Sequence, residues 1–225
     1  MDTLFTHAPD PHTATLADAA WARLRQDIVS GVRIPGERLR IDRMRQLYGI
    51  AASPLREALQ RLSAEGLVLA EGNRGFTVAP LDPDEFADLT RARVAVEREC
   101  LRLSLGRGDS AWEAEVVSAA YLMAKADSDL APGTDAWEKA NTTFHRAMVS
   151  ACGSVWLLRV RDGLHTLAER YRRASVESSR TLRDLGAEHR QIAEAVLRRD
   201  AALACELTAA HYGKTETELR NVRRG

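Results

Sequence analysis

The sequence predicts a mainly α-helical protein, in which an N-terminal winged helix-turn-helix is followed by an antiparallel bundle of six to seven helices. Three observations lead to this fold class. Ala, Leu, Arg and Glu dominate and aromatic residues make up only 5% of the 225 residues, which favours helix over sheet. Apolar residues recur at helical spacing along most of the chain. The one strand-turn-strand pattern lies at residues 67–78, directly after three short predicted helices.

The chain divides into three predicted segments. Residues 1–15 are rich in Thr, Pro, Asp and His without periodicity, and we expect them to form a mobile tail. Residues 16–80 form the winged helix-turn-helix, and residues 84–222 form the helical domain. Within the helical domain, glycine, proline and charged breaks separate the predicted helices 84–106, 110–128, 135–151, 155–178, 182–198 and 200–221.

The N-terminal domain is predicted from its helix boundaries. Its first helix spans residues 17–31, and its second spans residues 41–48 and ends at Gly49. Ser53 followed by Pro54 predicts an N-cap and a first helical residue for the third helix, which runs to about residue 65. The inward side of this helix is predicted to carry Leu55, Ala58, Leu59 and Leu62. The strands 67–69 and 76–78 follow, joined by a glycine-containing turn.

Bulk composition excludes several classes of protein. With 45% hydrophobic and 28% charged residues, the chain has the composition of a globular protein, and its zero net charge means that any nucleic-acid signal must be local. Cys100, Cys152 and Cys205 stand singly without a CxxC pair, so we expect buried, reduced thiols. The sequence shows no basic, apolar secretory signal and no membrane-length apolar run, so we expect a cytoplasmic protein.

Arginines concentrate in the predicted helix-turn-helix. Between residues 33 and 61 seven arginines (33, 38, 40, 43, 45, 56 and 61) outnumber the three acids Glu37, Asp42 and Glu57. Arginine binds guanine edges and phosphates in bidentate fashion, so a double-stranded DNA operator is the expected partner. The candidate DNA contacts are Arg40, Arg43, Arg45, Ser53, Arg56, Asn73 and Arg74. Arg56 is the first candidate for the major groove, and the alternative for any single arginine is a solvated helix face.

Three histidines of the helical domain are candidate metal ligands. His189 and His211 are 22 residues apart, and a chain reversal at Arg199 and Asp200 would place them opposite each other on antiparallel helices. His145 would enter from a third helix, with Asn141 four residues before it on the same face. Three imidazoles and an oxygen suit a divalent transition metal such as Zn or Ni, with positions left for a small molecule. The alternative is three unrelated histidines, and His165 has no obvious partner.

Several motifs together resemble the GntR family of bacterial transcription regulators. The motifs are Pro35-Gly36-Glu37-Arg38-Leu39, Ser53-Pro54-Leu55-Arg56-Glu57-Ala58-Leu59 and Leu62-x-Ala64-Glu65-Gly66-Leu67-Val68. The helical remainder resembles the effector domain, called FCD, of the fatty-acid-regulator branch. One departure is Ala52, since the family often has an arginine just before the Ser/Thr-Pro pair.

The resemblance implies a homodimeric, sequence-specific DNA-binding regulator, a repressor, controlled by an effector that binds in the helical bundle. Metal-binding members carry Asp-x-x-x-His followed by two later histidines, and Asn141 stands at the Asp position here. Arg93 is the first candidate to bind a small carboxylate effector, with Tyr171 and Arg172 as secondary candidates. Residues 152–172 are similar to regulators of glutarate and dicarboxylate catabolism, which favours a short dicarboxylate. The alternative for Arg93 is a surface ion pair with Glu97, one helical turn away.

Two other functions compete with regulation. A metal-dependent enzyme would use the cluster of His145, His189 and His211, but only Glu188 and Glu194 are near enough in sequence to serve as acid or base. Helical periodicity places Glu188 beside a ligand rather than on its face, so we expect no enzyme. A DNA-architectural protein would have no need of a large bundle with convergent histidines.

Overall fold

Helices dominate this computed structural model, which describes residues 15–72, 75–178 and 183–222 and confirms the predicted fold class. The chain separates into two units, with the division between Pro80 and Leu81. Most of the segment predicted as a tail, and the candidate contacts Asn73 and Arg74, lie outside the described residues. Within the described residues no helix combines the length and the apolar character needed to cross a bilayer.

The first unit is a three-helix domain with a small antiparallel sheet. Its elements are α1 (Leu16–Val29), β1 (Arg38–Leu39), α2 (Ile41–Tyr48), α3 (Ala52–Ala64), β2 (Val68–Ala70) and β3 (Phe76–Val78). Strand β3 lies between the other two and pairs Thr77 with Arg38 and Val78 with Val68. This hairpin after α3 is the predicted wing.

The core of the first unit lies between α1 and α3. Leu24 of α1 and Leu55, Leu59 and Leu62 of α3 are fully buried, as the helical spacing predicts. Gly49 ends α2 in the left-handed conformation, with φ of 68°, which a residue without Cβ adopts at little cost. The chain therefore turns sharply into α3, and the face of α3 opposite this core is left to solvent.

The predicted N-cap at Ser53 is wrong. Helix α3 begins at Ala52, and its N-cap residue Ala51 makes no side-chain hydrogen bond. Pro54 is consequently the third helical residue, a position whose N–H would have no acceptor inside the helix, so proline is tolerated there. Ser53 is thereby left exposed within the first turn instead of capping it.

The second unit is a helical bundle. Its elements are α4 (Pro83–Arg107), α5 (Ser110–Asp129), α6 (Asp135–Val149), a 3-10 turn (Ser150–Cys152), α7 (Val155–Ser178), α8 (Leu185–Leu197) and α9 (Ala201–Val222). Side-chain caps set the starts of α4, α5 and α6, because Asp82, Asp109 and Thr134 each accept a hydrogen bond from a backbone N–H of the first turn.

Short connections fold these helices against one another. Helix α4 packs along α9 and α7, and α5 lies against both α6 and α8. The large apolar side chains at their centre include Leu101, Trp112, Met123, Trp137 and Phe144, all nearly or fully buried. Polar side chains are also buried inside this bundle, and they define the candidate site described below.

Candidate functional site

The first unit presents arginines to solvent on α2, α3 and the residue before α2. Arg40, Arg43 and Arg56 are exposed and have no acidic partner among the described residues. Arg45 is exposed and lies 3.6 Å from Asp42, a pair that solvent weakens. Since Leu55 and Leu59 anchor the opposite side of α3, Arg56 lies on a rigid helix and is free to contact a polyanion.

Two arginines of the predicted basic segment serve the fold instead. Arg61 contacts Asp18 at 2.6 Å and lies over the Trp21 ring at 4.8 Å, so it joins α3 to α1. Arg33 bonds Glu37 at 2.8 Å. Neither was among the candidate DNA contacts, and both are explained by these partners.

The three candidate metal-binding histidines converge in the second unit. His145 of α6, His189 of α8 and His211 of α9 are buried, and one ligand nitrogen from each lies within 4.8 Å of the other two. Their ring centroids are 4.9–5.8 Å apart. The helical hairpin of α8 and α9 therefore places His189 and His211 opposite each other, as their spacing about Arg199 predicts.

Polar atoms around this cluster lack partners in the described structure. Both ring nitrogens of His145, Nε2 of His189 and Oδ1 of Asn141 are buried without a hydrogen bond. Unsatisfied buried polar groups are costly in a folded protein and commonly mark a place where an ion or ligand binds. The arrangement thus offers neutral nitrogen and oxygen donors to a cation.

Burial keeps two of the clustered histidines, His145 and His211, neutral. Burial, with His211 and His189 as neighbours, holds the pKa of His145 well below its usual value. Burial also lowers the pKa of His211 to about 3, although its hydrogen bond with Glu188 acts in the opposite direction. Neutral imidazole is the form that coordinates a metal, so no proton must be removed from the rings of His145 and His211 near neutral pH.

His165 has partners that the sequence did not indicate. It is buried on α7, its Nε2 lies 3.1 Å from Oγ1 of Thr142, and its ring centroid is 6.3 Å from that of His145. Burial and the nearby guanidinium of Arg172 hold its pKa well below the usual value. His165 therefore borders the histidine cluster without belonging to it.

Arg93 is buried beside the cluster, and the predicted alternative of an ion pair with Glu97 is wrong. Its guanidinium lies 3.9 Å from the ring centroid of Tyr212, whose ring is 5.6 Å from His145. Glu97 instead pairs with Arg161 through contacts of 2.9 and 3.2 Å. Among the described residues no carboxylate bonds to Arg93, and burial lowers its pKa.

The two secondary effector candidates are placed differently. Arg172 bonds both oxygens of buried Glu138 at 2.5–3.1 Å, and its charge influences Arg93, His165 and Tyr212. Tyr171 stacks on Phe86 with ring centroids 4.4 Å apart. Its hydroxyl donates to Glu85 at 3.1 Å, and no contact with the histidine cluster is among its described interactions.

Sequence reasoning considered Glu188 only as the acid or base of an enzyme, and it missed the contacts that two acids make with the histidines. Asp127 of α5 bonds Nδ1 of His189 at 2.7 Å, and Glu188 bonds Nδ1 of His211 at 2.8 Å. Glu188 stands as far before the junction at Arg199 and Asp200 as His211 stands beyond it, so the same hairpin argument would have found it. Nothing in the sequence pointed to Asp127. Of the cysteines, Cys100 and Cys152 are buried as predicted, whereas Cys205 is partly exposed.

Comparison with known families accounts for both units. Residues 16–78 match the family of bacterial regulatory proteins called gntR, and residues 88–214, more than half of the chain, match the FCD domain. The chain belongs to the GntR family. This GntR regulator thus combines a DNA-binding unit with an FCD domain, and its function is transcription regulation rather than enzymatic turnover.

Two relatives align with most of this chain. The HTH-type transcriptional regulator BphR of Paraburkholderia xenovorans is 38% identical over 216 residues, which cover 94% of this chain and 88% of the relative. The HTH-type transcriptional repressor GlaR of Escherichia coli is 38% identical over 194 residues, covering 84% and 88%. The solved structure of E. coli McbR/YncC shares the fold, with a TM-score of 0.75, 17% identity and coverage of 93% and 99%.

Proposed function

We propose that this GntR regulator is a homodimeric repressor whose affinity for its DNA operator is lowered by a small carboxylate, bound beside a divalent transition metal in the FCD domain. A short dicarboxylate is the effector that we expect. The similarity to GlaR, which is named a repressor, supports the direction of regulation.

The DNA contact is proposed to run through Arg40, Arg43, Arg45, Ser53 and Arg56. Arg56 supports this most directly, since it is exposed on a helix whose other face is held by the core. One such unit covers one half-site, and family operators of this kind are read by paired units, so a homodimer is proposed.

The metal is proposed to be zinc, nickel or a similar ion held by His145, His189, His211 and Asn141. The residues fit such an ion because unpartnered nitrogen and oxygen atoms of His145, His189 and Asn141 are buried in the cluster, where the three histidines converge. A bound ion would supply positive charge and free coordination positions for a carboxylate oxygen.

The surroundings of Arg93 are the main support for the proposed effector site. Arg93 is only 6% exposed, and its guanidinium has no acidic partner among the described residues. Its positive charge is therefore not neutralised, which is unfavourable unless an anion binds. A carboxylate of the effector would provide that anion, in bidentate geometry. Arg172 adds positive charge on the same side, although Glu138 already offsets it.

Control of DNA affinity requires the effector to prefer one state of the protein over the other. A preference of about 1–3 kcal/mol corresponds to roughly a 5- to 150-fold change in operator affinity.

The test measures binding of the metal-loaded protein to DNA from upstream of its own gene, by fluorescence anisotropy at fixed salt. Glutarate should weaken binding about 5- to 150-fold, whereas butyrate, with one carboxylate, should act less. Arg93→Ala should remove the glutarate response. Arg91→Ala is the matched control, because Arg91 is exposed on the same helix and pairs with Asp88, and its response should stay at the wild-type level.

Two results would contradict the proposal. One is a full glutarate response in the Arg93→Ala variant. The other is a panel of small mono- and dicarboxylates that neither changes DNA affinity nor raises the thermal midpoint of the metal-loaded protein, since a ligand of the native state must raise it.

A further inference from the structure

Two of the three clustered histidines are oriented by carboxylates. His189 Nδ1 lies 2.7 Å from Oδ2 of Asp127, and His211 Nδ1 lies 2.8 Å from Oε2 of Glu188. An ionised carboxylate only accepts hydrogen bonds, so each Nδ1 carries a proton, and in the neutral form of each ring the lone pair is on Nε2. A nitrogen of Arg183 is also 3.2 Å from Nδ1 of His211, but two donors cannot share a hydrogen bond.

His145 differs from the other two because neither of its ring nitrogens has a partner in the described structure. Its orientation comes from packing against the rings of Phe144 and Tyr212, at centroid distances of 5.2 and 5.6 Å. With Asn141 also neutral, the four proposed donors together carry no charge. A divalent cation there would be neutralised only by groups behind the ligands or by the effector.

The charge of Glu188 is already offset by cations. Arg183 bonds it at 2.6 and 2.9 Å, and Lys214 bonds it at 2.9 Å. Burial opposes its ionisation, but hydrogen bonds from His211, Arg183 and Lys214 outweigh burial and hold the pKa of Glu188 well below its usual value. Glu188 is thus part of an ion-pair network that exists without any metal.

The charge of Asp127 is not offset in this way. Its side chain is 7% exposed, and its second oxygen accepts a hydrogen bond of 2.9 Å from the neutral indole N–H of Trp137. Within the described residues no lysine or arginine pairs with it. Asp127 contacts only the indole of Trp137 and the imidazole of His189 among its described side-chain interactions. Its negative charge therefore lies directly behind the proposed ligand His189.

We propose that Asp127 is a positioning residue that compensates, through His189, for the neutral Asn141 at the metal site. This inference rests on the proposed metal site. Hydrogen bonding to Asp127 fixes the tautomer of His189, makes its Nε2 more basic and brings one negative charge near the ion. Glu188 fixes the tautomer of His211 in the same way, but the negative charge of Glu188 is already offset by Arg183 and Lys214.

A purely structural role for Asp127 is the alternative, because it links α5 to α6 through Trp137 and to α8 through His189. Asp127→Asn separates the two roles. The amide oxygen can still accept a hydrogen bond from Trp137 or from His189, while the negative charge is lost. A structural role predicts a less stable metal-free protein, and a positioning role predicts weaker metal binding.

The experiment measures the Kd of Zn²⁺ and of Ni²⁺ for the full chain by competition with a chromophoric chelator, together with the thermal midpoint of the metal-free protein. Asp127→Asn should weaken metal binding roughly 10- to 100-fold with an unchanged midpoint. Adding Asn141→Asp should restore most of that loss, since it returns a negative charge to the site. Asp129→Asn, an exposed acid on the same helix, should leave the Kd unchanged.

The outcomes are distinguishable. Wild-type protein that binds neither ion overturns the proposed metal site and this inference with it. Tight wild-type binding with an equal Kd for Asp127→Asn overturns the inference alone. A loss of affinity that is accompanied by a lower metal-free midpoint and is not restored by Asn141→Asp assigns a structural role, and also overturns it.

Discussion

Two groups of arginines, one in each unit of this regulator, have opposite surroundings. In the first unit Arg40, Arg43 and Arg56 extend into solvent without acidic partners among the described residues. In the second unit Arg161 and Arg172 are inside the bundle, each held by a carboxylate, Glu97 and Glu138 respectively. An exposed guanidinium keeps its hydration and remains available for phosphate, whereas a buried one is tolerated only when an anion replaces its water.

Arg93 differs from both of these groups. It is buried like Arg161, yet among the described residues it has no carboxylate and lies over the ring of Tyr212. A cation–π contact offsets only part of the free energy of burying a charge. Unlike Arg161 and Arg172, Arg93 therefore marks a place among the described residues where a buried guanidinium lacks a carboxylate.

The largest effect should come from breaking the buried pair of Arg161 and Glu97. Arg161→Met leaves Glu97, with its side chain 5% exposed, as an unpaired buried charge. We expect the free energy of unfolding of the metal-free protein to fall by about 3–5 kcal/mol, measured by urea denaturation.

The double variant Arg161→Met with Glu97→Leu is the control for that measurement. It removes both charges, so most of the lost stability should return. If the single and double variants were equally unstable, packing rather than charge pairing would explain the loss.

An intermediate effect is expected for Arg56, the exposed counterpart. Arg56→Ala should weaken binding to the specific operator by about 1–3 kcal/mol at fixed salt, because a groove contact is lost. Its thermal midpoint should not change, since Arg56 has no described partner within the first unit. The Arg102→Ala variant removes the same charge from an exposed pair with Glu99 in the second unit, and should bind the operator normally.

The smallest effect is a pH dependence of stability in the metal-free protein. The pKa of His165 is held well below 6.5 in the folded state, so the unfolded chain takes up a proton near pH 6.5 that the folded chain does not. The stability contributed by neutral His165 is complete above pH 6.5 and decreases as the pH falls below it. At pH 5.5 the loss from this one residue is at most about 1.4 kcal/mol.

Thermal midpoints at pH 7.5 and 5.5 check this prediction when wild type is compared with His165→Asn. The asparagine does not titrate, so the fall in midpoint between the two pH values should be smaller in the variant. Some pH dependence should remain, because burial also lowers the pKa values of His145 and His211. An identical pH dependence of the thermal midpoint in both proteins would show that His165 is not a neutral, buried group in the folded protein.

Local sequence patterns predicted which helices form more reliably than they predicted the residue at which each helix begins. The spacing of Leu55, Leu59 and Leu62 identified the buried face of α3, and Gly49 identified the end of α2. The pair Ser53-Pro54 misplaced the start of α3, because a proline is tolerated at any position whose N–H has no acceptor in the helix. A capping pattern alone therefore locates a helix start only to within a turn.

The sequence by itself determined which helices form and that His189 and His211 oppose each other, because helical period and a short hairpin fix those positions. Only the tertiary structure decided that His145 joins them. It also decided which partner each charged side chain takes. Glu97 binds Arg161 on another helix rather than Arg93 one turn away, and Asp127 approaches His189 from a helix far along the chain. Such pairings depend on how α4, α5, α7 and α8 pack together, and the burial that makes them strong arises only from that packing.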